Sequence, residues 1–344
     1  MRGRRPIIVM ATLFALILVG ISGFRQITLT RFKKGPWLVV VPLGNKADDA
    51  GRATGIDGRT YGPLTFATNG MMTVVSDTYH QRLLYFRRGR MTSVAINGAM
   101  IEDMVMDSTG HVLAADNRSL TLWSITAGGV QRIMQMPHQR GYSEALWHLG
   151  VGDNGNILVD WVKVGHGTFV TELNEYTPQG QFIRSVASSQ VGQPVLQASD
   201  RQTTAAPIRN FQVAPNGNIY VQLEQTSRQR RVIRIYRPNG LFIGRVAIQS
   251  PEPINRADFL GVSGNGWIYF AININIPDQS RVLVVDQQGR TIADIPVATV
   301  PLYAATYGCV TKSGVLFVNQ STASSYRIRE YQLVRYRVWR WTGF

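Results

Sequence analysis

The chain has 344 residues, 44% hydrophobic and 17% charged, which excludes a disordered polar chain and leaves room for one large domain or two ordinary ones. Its formal net charge of +15 comes almost wholly from arginine and favours anionic partners such as lipid headgroups, acidic wall polymers or nucleic acid. With Cys309 as the single cysteine, no intrachain disulfide is possible.

At the N-terminus, Arg2, Arg4 and Arg5 precede residues 7–24, which carry no charge. As a helix this run would be about 27 Å long, close to the thickness of a bilayer core. It reads as a membrane anchor over residues 1–24, with a cleaved signal-peptide core or a buried helix as alternatives. Basic residues flank it almost evenly, and so short a tail usually stays inside. The expectation is a single-pass protein of the cytoplasmic membrane, with everything after residue 24 on the extracytoplasmic side. Residues 25–59 read as a linker containing one strand-like run, 37–43, WLVVVPL.

From residue 60 one pattern recurs six times: an alternating run, a turn closing on glycine, and a second β-rich run. The glycines are Gly70, Gly110, Gly155, Gly217, Gly266 and Gly314, four of them preceded by asparagine, at spacings of 40, 45, 62, 49 and 48. Asn-Gly between alternating hydrophobic runs is a strong hairpin signal, because both residues tolerate positive φ. A further alternating run follows, and in most units a second glycine and another run, making four short strands per unit. Units of this size without helical periodicity imply an all-β fold, a six-bladed β-propeller of four-stranded blades over residues 60–344, preceded by one transmembrane helix. A β-sandwich would not explain one strand order repeated six times. An open ring would expose unpaired edges, so residues 37–43 are expected to close it beside 336–341. Residues 188–207 are polar and read as a long loop between the third and fourth blades.

The first unit carries more detail. Tyr61-Gly62-Pro63, Asn69-Gly70, the segment Asp77-Thr78-Tyr79-His80-Gln81-Arg82 and the pair Tyr85-Phe86 follow a glycine-rich stretch, 51–58. Together they resemble an NHL repeat. Elsewhere the turn and second strand persist while the rest has drifted. The resemblance implies a propeller of the NHL or broader lactonase-like type, a fold that hosts binding modules and enzymes alike. It also implies that Asp77 caps a turn and Arg82 pairs within the blade. Zinc lyases of this type carry an Asp-x-x-His-Gln string, which Asp77 to Gln81 matches, but His111, His138, His148 and His166 do not recur at one register of successive blades. Lactonase-type propellers open with Glu-Gly-Pro, whereas Tyr61 stands here in place of the carboxylate.

No G-x-S-x-G, P-loop or HExxH string occurs. The first strands of successive blades nevertheless open with polar residues, and these would meet at one mouth of the central channel. Asp103, His148, Arg209, Asn210 and Asp258 are therefore the candidate ligand-binding residues, with Glu102 and Trp147 beside them. Arg228, Arg230, Arg231, Arg234 and Arg237 form a candidate basic patch for a membrane surface or anionic wall polymer, or a solvated face whose stems cover apolar surface. The leading expectation is a membrane-anchored, extracytoplasmic binding or scaffolding module for a protein or surface partner, without cofactor and without nucleic acid. The alternative is a metal-dependent lactonase-like hydrolase or lyase, with Ca²⁺ or Zn²⁺ at the channel.

Overall fold

The computed structural model describes residues 24–341, apart from 56–57, 59, 108, 127–128, 192–202, 205–206, 224–228, 251–252, 274–275, 277–278, 299 and 301. The described chain is all-β, with one short 3₁₀ turn at Thr78–His80.

The first four sheets follow one plan. Blade one holds Phe66–Thr68, Met72–Asp77, Arg82–Arg87 and Arg90–Ala95. Blade two holds Ile101–Met106, Val112–Asp116, Thr121–Thr126 and Gly129–Gln135. Blade three is longer, with Ser143–Val151, Ile157–Gly165, Thr168–Tyr176 and Phe182–Val191, and Thr203–Thr204 lying parallel to its outer strand. The outer strand thus runs on to Val191, into the segment expected as a loop. Blade four holds Ile208–Val213, Ile219–Leu223, Arg230–Tyr236 and Phe242–Gln249.

Blade five holds Ala257–Val262, Ile268–Ile272, Arg281–Val285 and Thr291–Pro296. Blade six combines Gly308–Val310, Val315–Asn319 and Ser325–Trp341 with the N-terminal strand Phe24–Pro42 as its outer member. The first strands of blades one to six touch in sequence. The circle is completed where the Ala305 amide donates to the Leu64 carbonyl at 2.7 Å and the Thr65 and Thr306 hydroxyls meet at 2.8 Å.

The N-terminal expectations need correction. The apolar run 7–23 lies outside the described residues, and Phe24, the last residue of the expected anchor, begins a strand. Among the described residues no helix is long and apolar enough to cross a membrane. The single-pass, extracytoplasmic placement is therefore withdrawn. The chain divides into two units, one ending at Lys33 and resuming at Leu333, the other spanning Lys34–Gln332. In the first, residues 24–33 and 333–341 belong to neighbouring strands, and the Arg31 guanidinium stands 5.0 Å from the Tyr336 ring centroid. In the second, the Leu43 amide donates to Ser324 and Arg329 Nε to the Gly35 carbonyl, so residues 34–43 lie beside 324–332 rather than 336–341.

The turns also differ from the expected pair of positive φ angles. Gly217 has φ 78°, but Asn216 does not have positive φ. The Gly217 amide donates to the Ala214 carbonyl at 2.8 Å, and Asn216 Oδ1 accepts from the Asn218 amide at 3.1 Å. This is the three-residue loop in which only the last position is left-handed. The asparagine contributes a side-chain acceptor instead of a special backbone angle. The core lies between adjacent blades, as where Phe259 and Phe270 stack at 5.3 Å against Ile233, Val246 and Ile248 of blade four.

Candidate functional site

The first strands of blades two, three and four share an irregularity. The register shifts between Ile101 and Asp103, between Leu146 and His148, and between Ile208 and Asn210, leaving Glu102, Trp147 and Arg209 as the extra residues. A bulge bends its strand and re-aims the neighbouring side chains. Three bulges at one register turn polar side chains into the same axial region, and blade five adds Asp258 and Arg256.

Asp103 and His148 form the centre. Asp103 Oδ2 accepts from the Leu149 amide of the next blade at 2.7 Å. Burial raises the Asp103 carboxyl to about 6, although the charge of His148 and two backbone donors pull the other way. His148 Nδ1 lies 3.2 Å from Asp160 Oδ2. Asp160 is fully buried, and that burial raises its pKa against the bond from His148. The two are directly opposed across the first and second strands of blade three, so the ladder itself sets the contact. His148 Nε2 has no hydrogen-bond partner among the described residues.

Cations stand around this pair. Arg256 Nε donates to Asp258 Oδ2 at 2.9 Å, and its guanidinium lies 4.7 Å from the Tyr307 ring centroid. Burial raises the Asp258 carboxyl, while Arg256, Arg209 and His148 oppose the rise. Arg209 thus shares the field of Asp258 but makes no direct bond among the described residues. Asn210 points to the seam with blade five, donating to the Phe259 carbonyl at 3.2 Å, and its Oδ1 is buried without a partner. Tyr61 packs its ring 5.3 Å from that of Tyr303.

Of the five residues expected at the channel, Asp103, His148, Arg209 and Asp258 share one electrostatic neighbourhood, while Asn210 serves the wall. Sequence reasoning missed Asp160, Arg256 and Tyr307. Only one signal was available for Asp160, an acid inside the apolar run ILVDW.

The basic patch does not gather on one face. Arg228 lies outside the described residues. Arg231 is buried, its guanidinium donating to the carbonyls of Arg230 and Ile254, because successive strand residues face opposite sides. Arg234 stands 5.8 Å from the Phe242 ring centroid, and Arg230 and Arg237 are exposed.

The donors do not fit the expected Ca²⁺ or Zn²⁺. Among the described residues no three His, Cys, Asp or Glu side chains converge on one point. Arg256 and Arg209 neighbour the acid Asp258, which disfavours a further cation there, and His80 bonds Asp77 at 3.0 Å instead of joining these acids.

Asp103 takes up its proton near pH 6 when folded and near pH 4 when unfolded. As pH rises between these values the unfolded chain loses its proton first, so this group subtracts stability, fully so above pH 6. Asp103→Asn should therefore be more stable than the parent by about 1–3 kcal/mol at pH 8 and no more stable at pH 3.5, measured by urea denaturation. Cys309 is half-buried on the first strand of blade six, and desolvation there pushes its thiol up to about 12, out of the reactive thiolate form. Native protein should resist iodoacetamide at pH 8 for hours, and denatured protein should alkylate fully, as read by intact mass.

No family model and no curated protein matches this chain. Solved structures do share its fold. A gluconolactonase from Xanthomonas campestris is 16% identical, with 88% of this chain and 98% of that chain covered at a TM-score of 0.53. A PQQ-bound aldose sugar dehydrogenase from Streptomyces coelicolor is 11% identical, with 89% and 99% covered at 0.52. A streptogramin B lyase is 11% identical, with 87% and 98% covered at 0.51. These similarities establish a β-propeller fold.

Proposed function

We propose that the chain is an acid–base enzyme on a lactonase-like propeller, hydrolysing or cleaving a small polar substrate at the channel mouth, rather than a passive scaffold. One observation carries this reading. His148 is held through Nδ1 by buried Asp160, and Asp103, whose carboxyl titrates near pH 6, lies within its field. A carboxyl raised toward neutrality beside an oriented imidazole marks an acid–base site. The names of the three similar propellers, a lactonase, a dehydrogenase and a lyase, agree with chemistry on this scaffold.

In hydrolysis, His148 Nε2 takes a proton from water as it attacks the substrate carbonyl. Asp160 orients the imidazole and stabilises its charge. Arg209, without a direct partner among the described residues, offers its guanidinium to the developing oxyanion. Asp103 in its neutral form gives the proton to the departing oxygen. The metal-dependent version of this chemistry has no donor set among the described residues, so no step runs through an ion.

The test uses the full chain with δ-valerolactone and p-nitrophenyl acetate, followed by pH-stat and absorbance. Turnover should survive EDTA and fall as pH rises above about 6, where Asp103 loses its proton. Turnover that disappears with EDTA would reject the proposal in favour of the metal-dependent reading, and no rate above background on either compound would reject it and return the binding reading.

A further inference from the structure

The longest spacing between turn glycines, from Gly155 to Gly217, has a structural consequence. Blade three is built of strands of nine, nine, nine and ten residues, against six, five, six and seven in blade two. Between blades two and three lies an open cleft of about 590 Å³, walled by Met134 and Met136 of blade two and by Trp161, Glu172, Tyr176 and Phe182 of blade three.

The ladder explains the lining. Trp161 is paired with Glu172, and Tyr176 with Phe182, so all four side chains stand on the face that looks toward blade two. Inside this wall, Lys163 Nζ donates to Glu172 Oε1 at 2.8 Å and sits 4.4 Å from the Trp161 ring centroid. The one acid of the wall is thus neutralised, and a charged ligand finds no counter-charge. Trp161 is only 8% exposed, and its Nε1–H is buried without an acceptor. A buried donor left unpaired is unusual and costly, and it favours any ligand that brings an acceptor. Met134 and Met136 are unbranched and can repack to admit one.

We propose that this cleft is a second ligand site, on the opposite face of the strand that carries Asp160, for a small neutral molecule with an apolar ring and a carbonyl-type acceptor. The ring lies against Met134, Met136 and Phe182, and the carbonyl oxygen accepts from Trp161 Nε1–H. Aromatic and apolar walls with few polar groups are the usual make-up of such sites.

The probe is acetophenone, with ethylbenzene as its counterpart lacking the oxygen and benzoate as the charged analogue. Binding to the full chain is read from the indole N–H signals in ¹⁵N-resolved spectra, with Trp161 assigned through Trp161→Phe. Acetophenone should move the Trp161 proton downfield in a saturable way, with ethylbenzene and benzoate each at least tenfold weaker. Ser185 lines the cleft and is solvent-exposed, so Ser185→Trp should fill the space and abolish the shift while the other indole signals stay in place. An unsaturable or absent Trp161 shift would overturn the proposal, as would equal binding of ethylbenzene. The comparison of the three probes needs no variant and stands even if Ser185→Trp folds poorly.

Discussion

Asp77→Ala is expected to destabilise the ring by about 3–5 kcal/mol, the usual cost of stripping one partner from a buried ion pair. Asp77 is completely buried at the end of the second strand of blade one. Its Oδ1 accepts from the Gly51 amide at 2.8 Å, and its Oδ2 accepts from Arg82 Nε at 2.8 Å and faces His80 Nδ1 at 3.0 Å. Arg82 in turn donates to the carbonyls of Ala47 and Asp49. One carboxylate therefore holds the segment before blade one onto the blade's own turn. Its loss leaves a guanidinium and an amide without their acceptor in a place water reaches poorly. For a domain of this size the change should lower the melting temperature by on the order of 10 °C. Asp77→Asn keeps an acceptor and should lose roughly half as much. Calorimetry of both variants checks the claim, and a fall in melting temperature below 2 °C for the alanine variant would show that the hub is dispensable.

Asp77 also shows which features can be read from the chain alone. Its neighbours Thr78 to Arg82 are contiguous, so the turn it organises is local and its residue types betray it. The six glycine turns are legible for the same reason, since a hairpin is decided within a few residues. Asp103, His148, Arg209 and Asp258 could be placed because each lies in the first strand of a repeat, seven or eight residues before its turn glycine. Asp160 and Arg256 could not, since their meaning depends on which residue lies across the ladder or beside the next blade. The arginines at 230, 231, 234 and 237 mislead in the opposite way. They are close in sequence, but strand alternation sends Arg231 inward to the Ile254 carbonyl and leaves Arg230 outside. The metal expectation finds no donor set among the described residues, because the acids of the channel are interleaved with Arg209 and Arg256, which lie in different blades from Asp103.

His148→Ala is expected to lower kcat by about 10²- to 10⁴-fold, the range for a lost general base. The contact between His148 and Asp160 makes the loss that large. A histidine bonded through Nδ1 to a buried carboxylate has its ring fixed and its tautomer chosen, which leaves Nε2 to meet the substrate. Asp160→Asn should then lower kcat by on the order of 10³ with KM little changed, because an amide can turn its NH₂ to Nδ1 and hold the wrong tautomer. Arg209→Ala should act at the oxyanion and cost about 10²- to 10³-fold in kcat. A purely architectural role for the cluster makes a different forecast. It would have Asp160→Asn lower stability and active fraction together while the kcat of the folded remainder and its pH profile stay unchanged. Measuring kcat against active-site titre from pH 5 to 8 separates the two. The fall in rate above about pH 6 should persist in Asp160→Asn and vanish in Asp103→Asn, since Asp103 alone supplies that proton. If the fall survives in Asp103→Asn, the acid lies elsewhere, and the pairing of Asp103 with His148 is packing rather than catalysis.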